Sequence, residues 1–496
     1  MDLKQTPKQK IYLGTKNKKG LVIIGAGPSG ILATKHMKKD FDLLTLEAKT
    51  DLGGIWNRES ELGYKANYDR LYKTHPAGIY QGLSTNNTKQ CLYFKDFPNK
   101  ANSLFLKGTE FLNYMRDYSD HFHLRTNMQF NTLVARVRLI ENLTNEEMKD
   151  FLLTEEDKKY KYVVLTTPNI ASENNLGNQV ILCDYILCCT GAYNRPCYPK
   201  TEGSELFTGE QIHSHDYQNM DVLREKCENK RVVVVGFSFS AKDIVKHLTL
   251  GFNGHPPVKT KTLYQLVRNP DFCKMTQKAI DDNPEFKYVR AIPSGIKSFL
   301  GGNRIRLENQ IIEADIVIWA TGYNFNHPFL NPKDNIITED EETDCKMIFP
   351  LFLRTFSVNQ PTFAKTLAPF VYDVGLSASF ERQVMMVKAV FNGETELPSR
   401  EEMLKSIEDD IKVLEENGLS KAKINMHIRG IRDHATLSDK WFKYTNIAKK
   451  DTQLDDFMAR LGDHFFYTFT TGEYYHTPED KNFTQFEDLC LSSDRY

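Results

Sequence analysis

Short apolar runs, each followed at once by a glycine-containing turn and a helix-like stretch, occur twice along this chain. The first run covers residues 21–24, precedes "GAGPSG" and leads into a helical pattern from Ile31. A further apolar run, "FDLLTLE", ends at Glu47. Runs that are apolar without alternation are typical of strands in a parallel sheet that helices cover on both faces. The pattern therefore predicts a strand–turn–helix–strand unit.

The same order of elements returns further along the chain. Residues 232–235 are all valine, "GFSFSA" follows, and "AKDIVKHL" has a helical pattern before the strand-like "LYQLVR". Two more stretches resemble each other, "DYILCCTGAYNRP" at 184–196 and "DIVIWATGYNFNHP" at 315–328, and one follows each unit. We therefore predict an α/β fold with two nested Rossmann-like dinucleotide-binding domains and parallel sheets.

The first turn has the full glycine pattern of a dinucleotide site, because Gly25, Gly27 and Gly30 fit G-x-G-x-x-G. The first glycine permits a tight turn, the second lets the backbone approach a pyrophosphate, and the third allows close packing of helix on strand. The amides at the helix N-terminus favour an anion. Glu47 stands twenty residues after Gly27, where a carboxylate binds a ribose 2′-hydroxyl.

The second turn keeps only Gly236, with Ser238 and Ala241 in the other two places. It is either a second nucleotide site or an ordinary strand-to-helix turn. A serine hydroxyl can donate to phosphate oxygens, and Arg268 ends the following strand-like run where the first unit has Glu47. An arginine there accommodates the 2′-phosphate of NADPH, which a carboxylate would repel. The alternative, a surface arginine at a strand end, stays open.

Composition narrows the function classes. The chain has 496 residues, 40% of them hydrophobic, and a formal net charge of -1, so no strong field favours nucleic acid or an anionic membrane. No uncharged apolar run approaches the roughly 20 residues of a membrane span, and the lysine-rich start lacks the apolar middle of a signal peptide. Nine scattered cysteines without a CxxC pair favour reduced thiols in a cytoplasmic protein and argue against a flavin disulfide reductase.

Five motifs in order resemble the flavin-containing monooxygenase family. They are "GAGPSG", "DLGGIW" at 51–56, "FTGEQIHSHDY" at 207–217, "GFSFSA" and "ATGY" at 320–323. The third is the most specific, because Phe207, Gly209, His213 and Tyr217 match F-x-G-x-x-x-H-x-x-x-(F/Y). A tryptophan in the last place would indicate a Baeyer–Villiger monooxygenase. The resemblance runs from about residue 20 to 399.

The second turn is nearest in style to the bacterial trimethylamine-type and some lower-eukaryote members of that family. It departs from the G-x-S-Y-S-A form of the trimethylamine-type members, because Phe239 stands in place of the tyrosine. This departure weakens the prediction of trimethylamine itself as the substrate.

The resemblance implies roles for individual residues. Asn86, in "LSTNNTKQCLYFKDFP", would act beside the flavin as the catalytic residue, and His213 would be structural. No metal ligands are expected. Residues expected to bind FAD or NADPH are Gly25, Gly27, Ser29, Gly30, Glu47, Gly54, Trp56, Thr85, Asn86, Asn87, Gly236, Ser238, Ser240, Arg268, Thr321 and Gly322.

The resemblance also implies a domain plan. We expect an N-terminal tail (1–19), a first FAD-domain segment (20–204), an inserted NADPH domain (205–324), a second FAD-domain segment with helices (325–445) and a C-terminal tail (446–496). The charge-dense residues 139–162 are expected to form an exposed excursion.

The implied activity is an FAD- and NADPH-dependent monooxygenase of the N,N-dimethylaniline or trimethylamine type. A C4a-hydroperoxyflavin would transfer oxygen from dioxygen to an amine nitrogen or a sulfide sulfur, giving N-oxides or S-oxides. Three alternatives stay open: an NADPH oxidase-like protein that releases hydrogen peroxide, Baeyer–Villiger oxygenation of ketones, and a non-catalytic flavin-bound redox sensor. Neither nucleic acid nor a membrane is expected as a partner, and a homodimer is compatible with the sequence.

Overall fold

The structure is a computed structural model that describes residues 9–58, 79–103, 105–170, 177–193, 195–339, 347–367 and 376–416, together with 418, 421, 440, 443 and 444. The predicted C-terminal tail (446–496) and the side chain of Asn87 lie outside the described part.

Helices and strands alternate through most of these ranges. In chain order the helices are α1 (Pro28–Met37), α2 (Lys89–Leu92), α3 (Gly108–His121), α4 (Asn145–Asp150), α5 (Met220–Cys227), α6 (Phe239–Leu250), α7 (Pro270–Asp281), α8 (Leu376–Phe391) and α9 (Arg400–Glu416). The strands are β1 (Gln9–Tyr12), β2 (Gly20–Ile24), β3 (Asp42–Leu46), β4 (Ser84–Thr88), β5 (Phe105–Lys107), β6 (Met128–Gln129), β7 (Thr132–Leu139), β8 (Tyr162–Pro168), β9 (Gln179–Cys183), β10 (Tyr185–Cys188), β11 (Arg195–Pro196), β12 (Glu210–His213), β13 (Arg231–Val235), β14 (Thr262–Leu266), β15 (Val289–Ile292), β16 (Ser298–Phe299), β17 (Arg304–Arg306), β18 (Ile311–Glu313), β19 (Ile316–Trp319), β20 (Tyr323–Asn324), β21 (Thr338–Glu339), β22 (Ile348–Phe349), β23 (Leu351–Phe352), β24 (Phe356–Ser357) and β25 (Phe363–Lys365).

The first glycine unit forms the centre of a seven-stranded sheet in the order β23-β24-β25-β10-β2-β3-β6. Strand β2 is buried along its whole length because neighbouring strands flank it and helices cover it. Its parallel partners are β3 and β10, and β10 pairs in parallel with β25 from much later in the chain. The side chains of Leu21 and Ile23 pack in one core cluster with Val384 of α8.

The second glycine unit forms a separate five-stranded parallel sheet in the order β12-β19-β13-β14-β15. Its central strand, β13, is the predicted valine run, and Val232, Val233 and Val234 are completely buried. Each of the two similar stretches supplies a strand beside its own glycine unit, β10 in the first sheet and β19 in the second. The predicted α/β fold with two parallel sheets is confirmed, and among the described strands only β23 and β24 extend the edge of the first sheet in antiparallel pairing.

The predicted N-terminal tail is wrong for residues 9–12. This segment is strand β1, which pairs in parallel with β9 at the edge of a four-stranded sheet in the order β1-β9-β8-β7. The pairing uses backbone groups and therefore needs no apolar run. Lys10 forms an ion pair with Asp157 at 2.9 Å, so a lysine that suggested a solvated tail is part of the folded body.

Residues 139–162 form an excursion in which most side chains are exposed, as their charge predicts, and its backbone is regular. They connect the antiparallel strands β7 and β8 and contain α4, which begins with a capping box between Thr144 and Glu147. Beside them, the guanidinium of Arg138 is buried and donates to Asp334 at 2.8 Å. This contact ties the connection to the second half of the chain.

Candidate functional site

The first glycine turn is built against the strand end of β10. Gly25 has a φ of +101°, and a side-chain carbon there would lie 2.7 Å from the carbonyl oxygen of Cys189. At Gly30 such a carbon would lie 1.9 Å from the carbonyl oxygen of Gly25. Both positions therefore require glycine for packing, whatever ligand is bound.

The middle glycine faces the segment "GGIW". A side-chain carbon on Gly54, whose φ is +58°, would lie 3.0 Å from the Cα of Gly27, so two bare backbones pass close together. Gly27 directly precedes α1 and has no side chain to cap it, and the first turn of α1 has no acidic residue. The N-terminal amides of α1 are thus suited to an anion such as a pyrophosphate.

Glu47 lies directly after β3 and holds the same turn in place. Its Oε2 accepts from the amide of Ala26 at 2.7 Å, and its Oε1 accepts from the amide of Lys49 at 2.9 Å. Burial raises the pKa of this carboxyl above its usual value, and the neighbouring backbone amides and the charge of Lys49 oppose that shift only in part. Each oxygen retains a further lone pair, so the predicted contact with a ribose hydroxyl remains compatible with the geometry.

Ser29 has a contact that the motif did not indicate. Its buried hydroxyl accepts from the hydroxyl of Thr366 at 3.1 Å, and Thr366 directly follows β25. The strand that returns from late in the chain therefore fixes a side chain of the first turn.

Lys49 is a buried residue of this site that sequence reasoning missed. Its ammonium donates to the carbonyl oxygens of Gly54 at 2.8 Å and of Asn57 at 2.9 Å. It holds both ends of the short 3₁₀ turn Gly54–Trp56, while the ring of Trp56 packs edge-on against Phe111 at 5.0 Å. The sequence did not reveal this role of Lys49, because its partners are backbone carbonyls and not side chains of a recognisable motif.

Asn86 lies on β4, which pairs with β5 just before α3. The neighbouring Thr85 is buried, and its hydroxyl accepts from the amide of Leu106 at 3.0 Å. The chain enters β4 from residue 79, whose amide donates to the carbonyl oxygen of Ile55 at 3.3 Å. Asn86 is thus held on the same framework as "GGIW", and its side chain is half-buried.

The second glycine turn is approached by β19 in the same way. Gly236 has a φ of +140°, and a side-chain carbon there would lie 2.4 Å from the carbonyl oxygen of Ala320 in "ATGY". Ser238 and Ser240 are exposed at the start of α6, and the first turn of that helix has no acidic residue. The two hydroxyls and the helix amides form a surface suited to phosphate oxygens.

Arg268 lies two residues beyond β14, not within it. The amide of Gly236 donates to the carbonyl oxygen of Leu266 at 3.0 Å, which places the end of β14 beside the second turn. The guanidinium side chain is exposed, and its stem passes within 3.3 Å of where a side-chain carbon on Gly295 would be. Arg268 is therefore available to an anion at the same sheet edge.

Phe237, within the second turn, packs with Phe272 and Lys242 in a way that the sequence motif did not indicate. The rings of Phe237 and Phe272 stack with centroids 4.6 Å apart. The ammonium of Lys242, in α6, lies 4.8 Å from the ring centre of Phe237. Burial lowers the pKa of Lys242 to about 7.

The motif at 207–217 packs against the second sheet and its helices. At Gly209 a side-chain carbon would lie 2.5 Å from the ring of Phe207 and 2.7 Å from the carbonyl oxygen of Asp315. His213 is fully buried, and burial lowers the pKa of its imidazole to about 4, so the ring is neutral at neutral pH. The hydroxyl of Tyr217 shares a hydrogen bond of 2.8 Å with Nδ1 of His247. This geometry suits a structural His213.

Thr321 and Gly322 lie where the chain crosses between the sheets. The hydroxyl of Thr321 donates to the carbonyl oxygen of Cys197 at 2.5 Å, and the amide of Cys197 donates to the carbonyl oxygen of Gly322 at 2.9 Å. Beside them β11 and β20 pair as a two-stranded link. These contacts of Thr321 and Gly322 thus hold the chain in place where it crosses between the two sheets.

Residues 79–83 connect the two turns. The ring of Tyr80 stacks on Tyr217 at 4.8 Å, and its hydroxyl donates to Asp243 of α6 at 2.5 Å. The amide of Gln81 donates to the carbonyl oxygen of Gln218 at 2.8 Å. The strand that carries Asn86 is therefore attached to the "GGIW" turn on one side and to the helix of the second turn on the other.

A sequence model of the family described as "Flavin-binding monooxygenase-like" matches residues 18–251 and 294–436. The chain belongs to this family. Its members use FAD and NADPH, and the glycine cradle of the first turn and the serine-lined start of α6 fit two such dinucleotides.

Similar proteins oxygenate different elements. Senecionine N-oxygenase of Tyria jacobaeae is 26% identical over 81% of this chain and 78% of its own length. The protein named flavin-containing monooxygenase FMO GS-OX-like 9 of Arabidopsis thaliana is 27% identical over 79% of each chain. The structure of S-allyl-L-cysteine S-oxygenase from Allium sativum superposes with a TM-score of 0.73 at 20% identity, covering 97% of this chain and 99% of that one.

Membrane spans and metal clusters are both absent from the described part of the chain. No helix there is long and apolar enough to cross a membrane. Within the same residues, no group of three or more histidine, cysteine, aspartate or glutamate side chains is arranged to hold a metal ion.

Proposed function

We propose that this flavin monooxygenase transfers one oxygen atom from dioxygen to the nitrogen of a tertiary amine or to the sulfur of a sulfide, at the expense of NADPH. The observation that carries the proposal is the attachment of the Asn86 strand to both cofactor turns through residues 79–83. Flavin and nicotinamide must meet for hydride transfer, and a residue held between their two turns is placed to act on both.

The protein groups bind and orient the two cofactors. The turn at Gly25–Gly30 and the amides of α1 would hold the FAD pyrophosphate, with Glu47 on its ribose. Ser238, Ser240 and the amides of α6 would hold the NADPH pyrophosphate. Arg268 would pair with the 2′-phosphate, because a guanidinium can donate two parallel hydrogen bonds to it.

The oxygen-transfer chemistry itself is supplied by bound FAD once it is reduced. Asn86 would contribute a side-chain amide that donates a hydrogen bond beside the flavin and keeps water from that position. An amide neither gains nor loses a proton near neutral pH, so its role is orientation. The described part of the site accordingly needs no acid–base pair.

Relatives with N-oxygenase and S-oxygenase names support a soft nitrogen or sulfur nucleophile. Within that class, an N,N-dimethylaniline-like amine fits better than trimethylamine, since Phe239 lacks the hydroxyl of the trimethylamine-type form. Oxygenation of ketones is a weaker candidate, because Tyr217 stands in place of tryptophan and is committed to His247 at 2.8 Å.

Coupling of NADPH oxidation to product tests the proposal. The protein is reduced anaerobically with NADPH and then mixed with oxygen, with N,N-dimethylaniline or a methyl aryl sulfide present. We expect N-oxide or S-oxide in near-stoichiometric amount to the NADPH consumed. Stoichiometric hydrogen peroxide with every amine and sulfide tried would instead identify an NADPH oxidase-like protein, and reduction too slow for turnover would identify a sensor.

A further inference from the structure

A cluster of reactive side chains lies around β10 and β25, next to the first glycine turn. None of its members has a role in the proposed oxygen transfer. The ammonium of Lys365, on β25, lies 3.9 Å from the sulfur of Cys188, on β10, and both side chains are completely buried. The hydroxyl of Thr190 lies 3.3 Å from the sulfur and 3.4 Å from the ammonium. We call Cys188, Lys365, Thr190, His327 and Glu339 the Cys188 cluster.

His327 and Glu339 add an imidazole and a carboxylate to this cluster. Nδ1 of His327 lies 3.0 Å from Oε1 of Glu339, and the same oxygen accepts the amide of His327 at 2.7 Å. The imidazole lies near the sulfur of Cys188, and its buried Nε2 makes no hydrogen bond within the described residues. The ammonium and the imidazole favour the thiolate form of Cys188, as a bare apolar pocket would not. Glu339 acts on the imidazole, because its carboxylate favours the protonated form of His327.

The other described thiols lack this environment. Burial would raise the pKa of Cys188, but Lys365, His327 and Thr190 outweigh it and lower the pKa to about 6. Burial raises the pKa of Cys189 to about 12, and that of Cys227, in the second domain, to about 12. Because the thiolate is the form that reacts with oxidants, Cys188 is chemically distinct among these buried cysteines.

The position of the cluster relates it to the flavin turn. Cys188 is paired with Ile24, the residue before the glycine turn. Thr366, next to Lys365, donates to Ser29 within that turn. The cluster lies close to the surface, since Gly191, whose carbonyl accepts from Lys365 at 3.2 Å, is exposed. Gly191 therefore marks the side from which a small oxidant such as hydrogen peroxide would approach the sulfur.

We propose that Cys188 and Lys365 form a peroxide-sensitive site in which the oxidised sulfur is captured by the lysine nitrogen. The thiolate attacks hydrogen peroxide, which gives a sulfenic acid on Cys188 and one hydroxide ion. The hydroxide takes a proton from the Lys365 ammonium and becomes water. The free amine then attacks the sulfur, the sulfenic oxygen leaves as a second water, and a sulfur–nitrogen bond remains. Two equivalents of an external thiol reduce this bond and restore thiol and amine.

Capture by lysine is favoured over a disulfide with the neighbouring Cys189. Successive residues at a strand end point to opposite faces of the sheet, and the thiol of Cys189 is directed towards Thr366 and Ser29. Lys365, by contrast, comes from the adjacent strand, on the side of β10 where the sulfur lies. The site therefore forms a cross-link between two strands of the FAD sheet.

The test is mass spectrometry of the whole, FAD-loaded protein after treatment with hydrogen peroxide. We expect a reversible species that lacks two hydrogens, and peptide mapping that joins the Cys188 peptide to the Lys365 peptide. Dithiothreitol restores the original mass. This mapping uses the wild-type protein and so does not depend on any variant folding.

Variants separate the two steps. With Lys365→Arg the positive charge remains, but a guanidinium is a poor nucleophile, so we expect a Cys188 species that gains one oxygen and reacts with dimedone. With Cys188→Ser neither species forms. Cys227→Ser, which removes an equally buried thiol of raised pKa, serves as the matched control and should behave like wild type.

Three results would overturn the proposal. One is a wild-type protein whose Cys188 peptide stays reduced at peroxide doses that oxidise free cysteine. Another is a cross-link that maps to Cys189 or to any other cysteine. The third is a Lys365→Arg variant that still loses two hydrogens at Cys188.

Discussion

The first glycine turn (residues 25–30) and the second (residues 236–241) share a backbone but not a sequence pattern. Gly27 and Ser238, in corresponding places, have φ, ψ values of -75°, -173° and -72°, -174°. Gly25 and Gly236 both have positive φ and both face a carbonyl from the neighbouring crossover strand. The conformation of the turn thus requires only its first glycine.

The other two glycines of the first turn, Gly27 and Gly30, each lie close to another part of the backbone. Gly30 packs on the carbonyl of Gly25, whereas Ala241, in the corresponding place, is accommodated in a fully buried position. Gly27 faces Gly54, whereas Ser238 is exposed. A turn that keeps only its first glycine is therefore compatible with the same backbone, with an exposed serine and a buried alanine in the other two places.

Gly30→Ala should have the largest effect, because its methyl group would lie 1.9 Å from a backbone oxygen. We expect a loss of about 3 kcal/mol in the free energy of unfolding, the upper end of the usual overpacking cost, together with loss of FAD. The reverse change, Ala241→Gly, should cost about 1–2 kcal/mol, from helix propensity and the loss of one buried methyl group. Chemical denaturation measures the free energy of unfolding of both variants. Equal losses of that free energy would show that the two turns do not differ in their need for glycine at this place.

Gly27→Ala should separate folding from cofactor binding. In the protein alone the added carbon would lie 3.6 Å from the Cα of Gly54, an ordinary contact, so stability should change little. FAD retention should be abolished, because a methyl group would occupy the space of the pyrophosphate. Gly25→Ala should lose both stability and FAD.

The readouts are the flavin-to-protein ratio after gel filtration and the melting temperature of the FAD-free protein. A yellow Gly27→Ala protein with a full complement of FAD would show that the pyrophosphate lies elsewhere. Ser238→Gly, at the same place in the second turn, is the matched control and should retain FAD.

Asn86→Ala tests the role of the Asn86 side chain, whose strand is attached to both turns. The variant should keep FAD and still be reduced by NADPH, since Asn86 belongs to neither turn. Product oxide should fall by about 10²–10³-fold, the usual cost of losing one oriented donor, and peroxide should replace it. Product and peroxide per NADPH are measured side by side, and retained coupling would mean that Asn86 has another role.

Arg268→Ala tests the second turn as the NADPH site. A charge-assisted hydrogen bond contributes roughly 1.5–3 kcal/mol, so NADPH affinity should fall about 10- to 150-fold while NADH affinity is unchanged. The rate of anaerobic flavin reduction is followed against the concentration of each coenzyme. Arg290→Ala, an exposed arginine on the next strand, is the control. An equal loss for NADH and NADPH would assign Arg268 to the fold or the pyrophosphate.

Tyr80→Phe should have the smallest effect and tests the connection between the turns. It removes the 2.5 Å hydrogen bond to Asp243 and keeps the stacked ring. We expect a stability loss of about 1.5 kcal/mol and a reduced ratio of product to peroxide with FAD retained. Tyr12→Phe, on the distant edge strand β1, should change neither ratio nor FAD content. Unchanged coupling in Tyr80→Phe would show that the connection is structural only.

Local pattern determined much of this protein. Uniformly apolar runs such as Val232–Val235 specify buried strands, because only a covered parallel sheet hides both faces. The glycine spacing at 25–30 specifies the turn and the helix start, and the motif at 207–217 identifies the family. These features depend on residues close together in sequence, where period and steric limits act directly.

Only the tertiary structure decided the rest, since the contacts concerned join residues far apart in sequence. Backbone pairing recruited the lysine-rich residues 9–12 into a sheet, although their side chains suggested a tail. Tyr80 reaches Asp243 across 163 positions, and Lys365 reaches Cys188 across 177. A lysine or a cysteine has the same local pattern whether it is solvated or buried beside a partner. Its charge state and chemistry are therefore set by the groups that the fold packs around it and not by its neighbours in the chain.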